Sequence, residues 1–369
     1  MTPRARRLRI AFYAPLKAPG HPVPSGDRLM ARTLVACLER AGHDVAVASD
    51  LRAFLADAED VRGWKRLQAA AEAECARIAG QWVGGARDLW FSYHSYYKAP
   101  DLIGPVLAAQ FGLPYVTCEA SYSARRNIGV WTEMQARMLT AVKDAALNLC
   151  LTERDRAGLL AAAPDAVVAR LAPFIETAPF GAKPQPEPGH LVTVAMMRAG
   201  DKYESYRRLA AALALLPDDP PWRLSVAGDG LLRGDVAELF AGLPRGRINL
   251  LGQIGRDDVA RLLSRGAIYV WPGCGEAYGL AYLEAQAAGL PVVAQAVAGV
   301  PEVVADGVTG ILTPSGDDAA FAGAITALLT DEPLRAGMGR AARLRVHERH
   351  TTANAARRLD MLLQEVTKA

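Results

Sequence analysis

Gly275-Glu276-Ala277-Tyr278-Gly279-Leu280-Ala281-Tyr282-Leu283-Glu284-Ala285 follows the apolar run Ala267-Ile268-Tyr269-Val270 and places two carboxylates eight residues apart. The first acid closes a loop after a strand, and the second lies inside the helix that follows. Gly279 stands where that helix begins, so unpaired backbone N–H groups and the positive end of the helix dipole face the loop. Such a helix start suits a phosphate. The flanking carboxylates suit the hydroxyls of a sugar or a ribose. The stretch therefore reads as strand, loop and helix of a doubly wound α/β sheet, with a pocket for a nucleotide-sugar at the strand's end.

Outward from that stretch the same alternation continues. Strands are expected at Leu191–Ala195, Arg223–Ala227, Ile248–Leu250, Ile268–Val270, Pro291–Ala294 and Gly310–Leu312, with helices between them, and Pro333–Arg345 and Thr351–Val366 as closing helices. Toward the amino terminus, strands fit Leu8–Ala14, Val45–Ala48, Asp88–Phe91, Tyr115–Cys118 and Ala146–Leu151. A helix fits Asp27–Ala41, and Ala-rich helical sequence runs from Leu51 to about Gly80. Strands alternating with helices imply parallel sheets covered on both faces. Pro173, Pro179, Pro184, Pro186 and Pro188 interrupt the pattern and mark a domain boundary. The expected organisation is an N-terminal Rossmann-like domain over residues 1–175, a hinge over 176–188 and a C-terminal Rossmann-like domain over 189–350. A closing helix over 351–369 would pack back on the first domain. Ligands of such sheets bind outside the carboxyl ends of the strands, here in a cleft between two facing domains.

Composition narrows the function classes. The 369 residues are 51% hydrophobic, enough for two cores, and 42 basic against 39 acidic side chains give a net charge of +3. That balance excludes a nucleic-acid-binding reading. Cys37, Cys75, Cys118, Cys150 and Cys274 are scattered, odd in number and form no CxxC, so they read as buried thiols of a reducing compartment. No run of eighteen apolar residues occurs. The expected location is cytoplasmic, with peripheral contact at the inner face of the membrane as the less favoured alternative. The basic start Met1–Arg7 and the arginines of the closing helices raise that alternative, and Asp331, Glu332, Glu348 and Asp360 dilute it.

Other candidate residues stand at strand ends. Arg198 and Lys202 follow the strand Leu191–Ala195; a planar fork and a point charge there can clamp a diphosphate, or form a solvated turn with Asp201. Gly228-Asp229-Gly230 is a glycine turn, and Gly252-Gln253-Ile254 is a turn that can pack a base. Pro24-Ser25-Gly26-Asp27 links the first strand to the first helix, where Gly26 lets backbone approach a phosphate, or where Ser25 or Asp27 simply caps the helix. No GxGxxG and no P-loop occurs, which removes the dinucleotide oxidoreductase reading.

From about Leu191 to Arg349 these elements, in this order, resemble the retaining glycosyltransferases of family four, which share the GT-B fold. The resemblance is carried by Arg198 with Lys202, Gly228-Asp229-Gly230, Leu251-Gly252 and the Glu276…Glu284 pair. It continues through Ala288-Gly289-Leu290-Pro291-Val292-Val293, Gly299-Val300-Pro301-Glu302, Gly307-Val308-Thr309-Gly310 and Asp317. The amino-terminal half matches more loosely, mainly at Gly26 and in strand order. The resemblance implies transfer of a glycosyl group from a nucleotide-diphosphate-sugar, UDP-sugar above all, with retention by a front-face route. Arg198 and Lys202 would neutralise the diphosphate, Glu276 would accept from sugar hydroxyls and Gly279 and Leu280 would hold the distal phosphate. Glu284 would take the ribose, with Tyr278, Gly252 and Ile254 lining the donor pocket. No cofactor and no metal are implied, since the cations and the helix dipole do the metal's work. The acceptor would be a saccharide, a lipid-linked sugar or a small molecule.

Relatives of this family often carry a histidine after the strand that here reads Tyr115-Val116-Thr117-Cys118. Glu119 takes that place, and His94, after the neighbouring strand, can substitute for the histidine; each can equally be a packed or capping residue. Tyr122, Arg125 and Arg126 are further acceptor contacts. Two alternatives stand beside the transferase: a GT-B sugar-nucleotide epimerase or hydrolase, and an inactive binding protein.

Overall fold

The computed structural model describes residues 6–23 and 25–368; Met1–Ala5 of the basic start and Pro24 of the first loop lie outside the described residues. The chain divides into two compact units, Met1–Ala172 with Thr352–Ala369, and Pro173–Thr351. In the first, β1 (Arg9–Tyr13), α1 (Gly26–Arg40), β2 (Asp44–Ser49), α2 (Val61–Gln81) and β3 (Leu89–Tyr93) are followed by α3 (Gly104–Phe111) and β4 (Tyr115–Cys118). Then come α4 (Val130–Asp144), β5 (Leu147–Cys150), α5 (Glu153–Ala162) and β6 (Val168–Arg170). All pairings are parallel, in the order β2-β1-β3-β4-β5-β6. Strands β3, β4 and β5 are buried throughout, as continuous apolar runs covered on both faces must be. Phe12 and Phe91 stack at 5.7 Å across β1 and β3.

The second unit repeats the plan. It runs β7 (His190–Val194), α6 (Asp201–Leu213), β8 (Arg223–Ala227), α7 (Arg233–Leu239), β9 (Ile248–Gly252), α8 (Arg256–Arg265) and β10 (Ile268–Val270). After these come α9 (Leu280–Ala287), β11 (Val292–Gln295), α10 (Val300–Val303), β12 (Gly310–Thr313), α11 (Asp318–Thr330) and α12 (Glu332–Arg349). The sheet is again parallel, ordered β12-β11-β10-β7-β8-β9. Taken from the β9 edge, that is the 3-2-1-4-5-6 order of a dinucleotide-type doubly wound sheet, whose direction of winding reverses between β7 and β10.

The last helix, α13 (Thr352–Val366), returns to the first unit and packs on α1. The Cys37 thiol donates to the Thr352 carbonyl at 3.5 Å, and His43 Nε2 lies 3.5 Å from Asp360.

Three expectations need correction. The Ala-rich stretch is not helical from Leu51: α2 starts at Val61, where Asp60 accepts from the Gly63 N–H at 2.7 Å. Residues 51–60 instead pair their backbone with other loops, Ala53 to Pro15 and Leu55 to Lys98, while Leu55 and Ala58 pack against Trp64 and Trp131. Strand β6 was not expected; it is a three-residue, half-buried edge too short to show periodicity. All five cysteines are free, but Cys75 and Cys274 are only half buried. Among the described residues no helix is long and apolar enough to cross a membrane.

Candidate functional site

In the second unit the winding reverses where β7 and β10 lie side by side, and a crevice opens beyond their carboxyl ends. The chain leaves β7 through residues 195–200 and leaves β10 through residues 271–279. The first loop is held by the turn that follows β8: Met197 N–H donates to the Asp229 carbonyl at 2.9 Å, and Leu232 N–H donates to the Met197 carbonyl at 3.1 Å. Only glycines permit this approach. A Cβ on Gly228 would stand 1.8 Å from the Ala195 carbonyl oxygen, and one on Gly230 would stand 2.2 Å from that of Met197. The glycine turn thus works by packing the loop that carries Arg198.

The two loops are stitched together. Cys274 N–H donates to Ser205 Oγ at 2.9 Å, and that hydroxyl donates to the Asp201 carbonyl at 2.7 Å. A Cβ on Gly275 would meet Asp201 Oδ2 at 2.2 Å. Between the loops lies a cavity of about 220 Å³ lined by residues 198–202 and 274–276. Lys202 and Glu276 form an ion pair on its wall, with side chains 21% and 17% exposed, so solvent screens them only in part. Arg198 is exposed, and among the described residues no ion pair reaches it, so the alternative of a bridge to Asp201 is not realised.

Trp271, the first residue after β10, is not among the residues singled out in the sequence. It is 2% exposed, and its indole N–H donates to Glu276 Oε1 at 3.3 Å. The Lys202 ammonium lies 5.5 Å from the centre of its ring.

Gly279 precedes α9 with φ 77°, and no side chain caps that helix end. Leu280 is half buried there, whereas Tyr278 is buried at 6% exposure. Glu284 lies one turn in. Burial pushes its carboxyl up to about 7, against the lowering effect of the Arg256 charge at the start of α8. Ile254, half buried, and Gly252, the last residue of β9, occupy the loop that leads into α8. Among the described residues no group of three His, Cys, Asp or Glu side chains is placed to hold a metal ion.

The remaining candidates belong to the first unit. Ser25 caps α1 by accepting from Arg28 N–H at 3.2 Å. Gly26 is exposed, with nothing within 4 Å of a notional Cβ, so no packing requires a glycine there. Asp27 instead turns to His94, its Oδ1 3.2 Å from Nδ1. His94 and Glu119 follow the adjacent strands β3 and β4, both with left-handed backbone at φ 58° and 60°. Non-glycine residues in that region cost on the order of 1 kcal/mol each and cluster at functional sites. Burial would lower the His94 imidazole, yet the Asp27 hydrogen bond and the charges of Glu119 and Asp27 hold it above its ordinary value. Burial pushes the Glu119 carboxyl up to about 7 against the pull of His94, and its Oε2 is buried without a hydrogen-bond partner. Asp27 was readable only as a cap, because its partner lies in another strand's loop.

This architecture is that of GT-B glycosyltransferases. Over 98% of the chain it superposes on all of the sucrose-phosphate synthase from Thermosynechococcus elongatus, with a TM-score of 0.75 at 20% identity. Over 97% of the chain it superposes on all of Anabaena HepE in complex with UDP-glucose, with a TM-score of 0.70 at 14% identity. Residues 188–331 match the family Glycosyl transferases group 1. The D-inositol 3-phosphate glycosyltransferase of Corynebacterium aurimucosum is 31% identical over 282 residues, covering 68% of this chain and 66% of that protein. The N-acetyl-alpha-D-glucosaminyl L-malate synthase of Bacillus anthracis is 30% identical over 168 residues, 45% of this chain and 44% of its own length. The chain spans less than two thirds of the length of the curated relatives it matches.

Proposed function

We propose that the protein is a glycosyltransferase that uses a nucleotide-diphosphate-sugar, UDP-sugar above all, and transfers the sugar with retention, without a metal, to a saccharide, lipid-linked or small-molecule acceptor. The observation that carries this reading is the meeting of Lys202 and Glu276 at the winding reversal of β7 and β10, beside an uncapped helix start and the half-buried Glu284. A diphosphate between Arg198, Lys202 and the N–H groups of Gly279 and Leu280 meets two cations and a helix dipole. The same groups stabilise the charge that builds on the departing nucleotide. Glu276 accepts from the sugar hydroxyls, and Glu284 from the ribose. In a front-face transfer the acceptor oxygen bonds to the anomeric carbon as the bond to the phosphate oxygen breaks, and that phosphate oxygen takes the acceptor proton.

Thermal unfolding with UDP, GDP, ADP and their sugars, with and without EDTA, tests the reading. A ligand at a hundred times its dissociation constant adds about 2.7 kcal/mol. Stabilisation by one nucleoside diphosphate that survives chelation is the expected result. Loss of the shift with EDTA removes metal independence, and no shift with any nucleotide removes the donor site.

Glu284 gives a pH signature. The folded protein holds its proton at about 7, the unfolded chain near 4.5. Its contribution to stability is therefore complete below 4.5 and lost as pH rises to about 7, on the order of 3 kcal/mol. Glu284→Gln is expected to exceed the wild type in Tm at pH 8, by a margin that shrinks toward pH 5. It is also expected to bind the nucleoside diphosphate at least about tenfold more weakly at pH 8, since a ribose-binding carboxylate acts ionised. Calorimetric titration at both pH values checks this. An unchanged affinity excludes Glu284 from the ribose site.

On the acceptor side, Glu119, whose Oε2 has no hydrogen-bond partner, and the Asp27–His94 pair are the groups that would orient the attacking hydroxyl. Glu119→Gln is expected to lower transfer about ten- to a hundredfold with little change in nucleotide affinity. Turnover near that of the wild type removes Glu119 from the site.

A further inference from the structure

The donor site holds its two key charges on each other, and a donor bound by both must part them. Once the diphosphate takes Lys202 and the sugar takes Glu276, each loses the partner that fixed it. Trp271 touches both. Its indole N–H donates to Glu276 Oε1 at 3.3 Å, and the Lys202 ammonium stands over its ring at 5.5 Å. The tryptophan is itself fixed on three sides. Its backbone N–H donates to the Val293 carbonyl at 3.1 Å, and its carbonyl accepts from the Tyr282 hydroxyl at 3.0 Å. The Tyr206 ring meets it edge-on at 4.9 Å. The indoles of Trp64, Trp90, Trp131 and Trp222 donate to Glu133, Asp101 and the Leu55 and Pro217 carbonyls, away from the cavity. The Trp271 acceptor lines it.

We infer that Trp271 is the positioning residue of the donor site: its N–H aims the Glu276 carboxylate at the sugar, and its ring face keeps the Lys202 ammonium at the diphosphate. The two functions are separable, because one uses the edge of the indole and the other its face. The inference rests on the donor-site reading above.

The test is a binding cycle with whichever of UDP, GDP and ADP stabilises the wild type, and with its glucose and mannose conjugates. The readout is the factor by which the attached sugar tightens binding over the bare diphosphate. Trp271→Phe keeps a ring face and removes the N–H, and is expected to cut that factor about tenfold while leaving diphosphate affinity within about twofold. Trp271→His restores a ring N–H and is expected to recover part of the loss. It also serves as the folded control if the Phe variant is unstable. In a Glu276→Ala background the sugar factor is already lost, and adding Trp271→Phe is expected to change nothing further.

Equal losses for diphosphate and sugar conjugate in both backgrounds would show a packing defect and overturn the assignment. So would an unchanged sugar factor in Trp271→Phe. If the wild type binds no nucleotide at all, the donor-site reading itself falls, a result distinct from either.

Discussion

Replacing Glu276 with glutamine is expected to lower turnover of the sugar nucleotide about a hundredfold while leaving the nucleoside diphosphate bound as tightly as before, or more tightly. The turnover loss has the size seen when one preorganised transition-state partner is removed. The direction of the affinity change comes from the Lys202–Glu276 pair. There Lys202 is engaged by Glu276, so a diphosphate must first displace a carboxylate. A neutral amide competes less for the ammonium. It still accepts from the Trp271 indole, so the loop should keep its shape. Initial rates with the sugar nucleotide and calorimetric titration with the bare diphosphate separate the two effects. A fall in diphosphate affinity as large as the fall in turnover would mean that Glu276 touches the phosphates, and the assignment of the sugar to it would be wrong.

Lys202→Met is expected to be worse on both counts. The methionine retains most of the aliphatic stem and loses the charge, so kcat/KM should fall on the order of a thousandfold, with weaker diphosphate binding included in that loss. Folding is also expected to suffer. Glu276, 17% exposed, is left as a partly buried carboxylate without its cation, which costs about 1–3 kcal/mol. In a unit the size of Pro173–Thr351 that is a fall of about 2–4 °C in Tm per kcal/mol. The double variant Lys202→Met with Glu276→Gln should regain most of that stability and none of the activity. Scanning calorimetry and initial rates together check the pattern. Persistent instability in the double variant would mean that Lys202 supports the loop by packing rather than by pairing.

Much of this site was legible before any coordinates. Strand β10 ends at the expected residue and α9 starts at Leu280 after Gly279, while Lys202 and Glu276, both placed at strand ends by the sequence, pair with each other across 74 positions, a contact the sequence did not announce. Those features are local or follow from sheet order: apolar runs, glycine at a helix start, and a doubly wound plan that sends successive strand ends to one edge. What stayed hidden is what no local pattern encodes. Trp271 drew no role because an indole N–H has no sequence mark until its acceptor is known. Asp27 looked like a helix cap, a place that Ser25 takes, and its partner His94 comes from a different loop. Residues 51–60 looked helical because alanine-rich composition favours helix, but two distant carbonyls offered their N–H groups a better alternative. At Asp27 and at residues 51–60 a long-range polar contact overrode a local preference.

The return of α13 to the first unit bears on the order in which the chain can become itself during synthesis. The second unit is one unbroken stretch, so everything it needs has emerged once residue 351 has left the ribosome. The first unit begins to emerge earlier and is completed later. Until residues 352–366 arrive, the face of α1 that carries Cys37 and the buried ring of His43 have water where Thr352 and Asp360 will stand. Of the two units, the one that begins to emerge first is therefore completed after the other, and its apolar face is the one that needs shelter while translation proceeds.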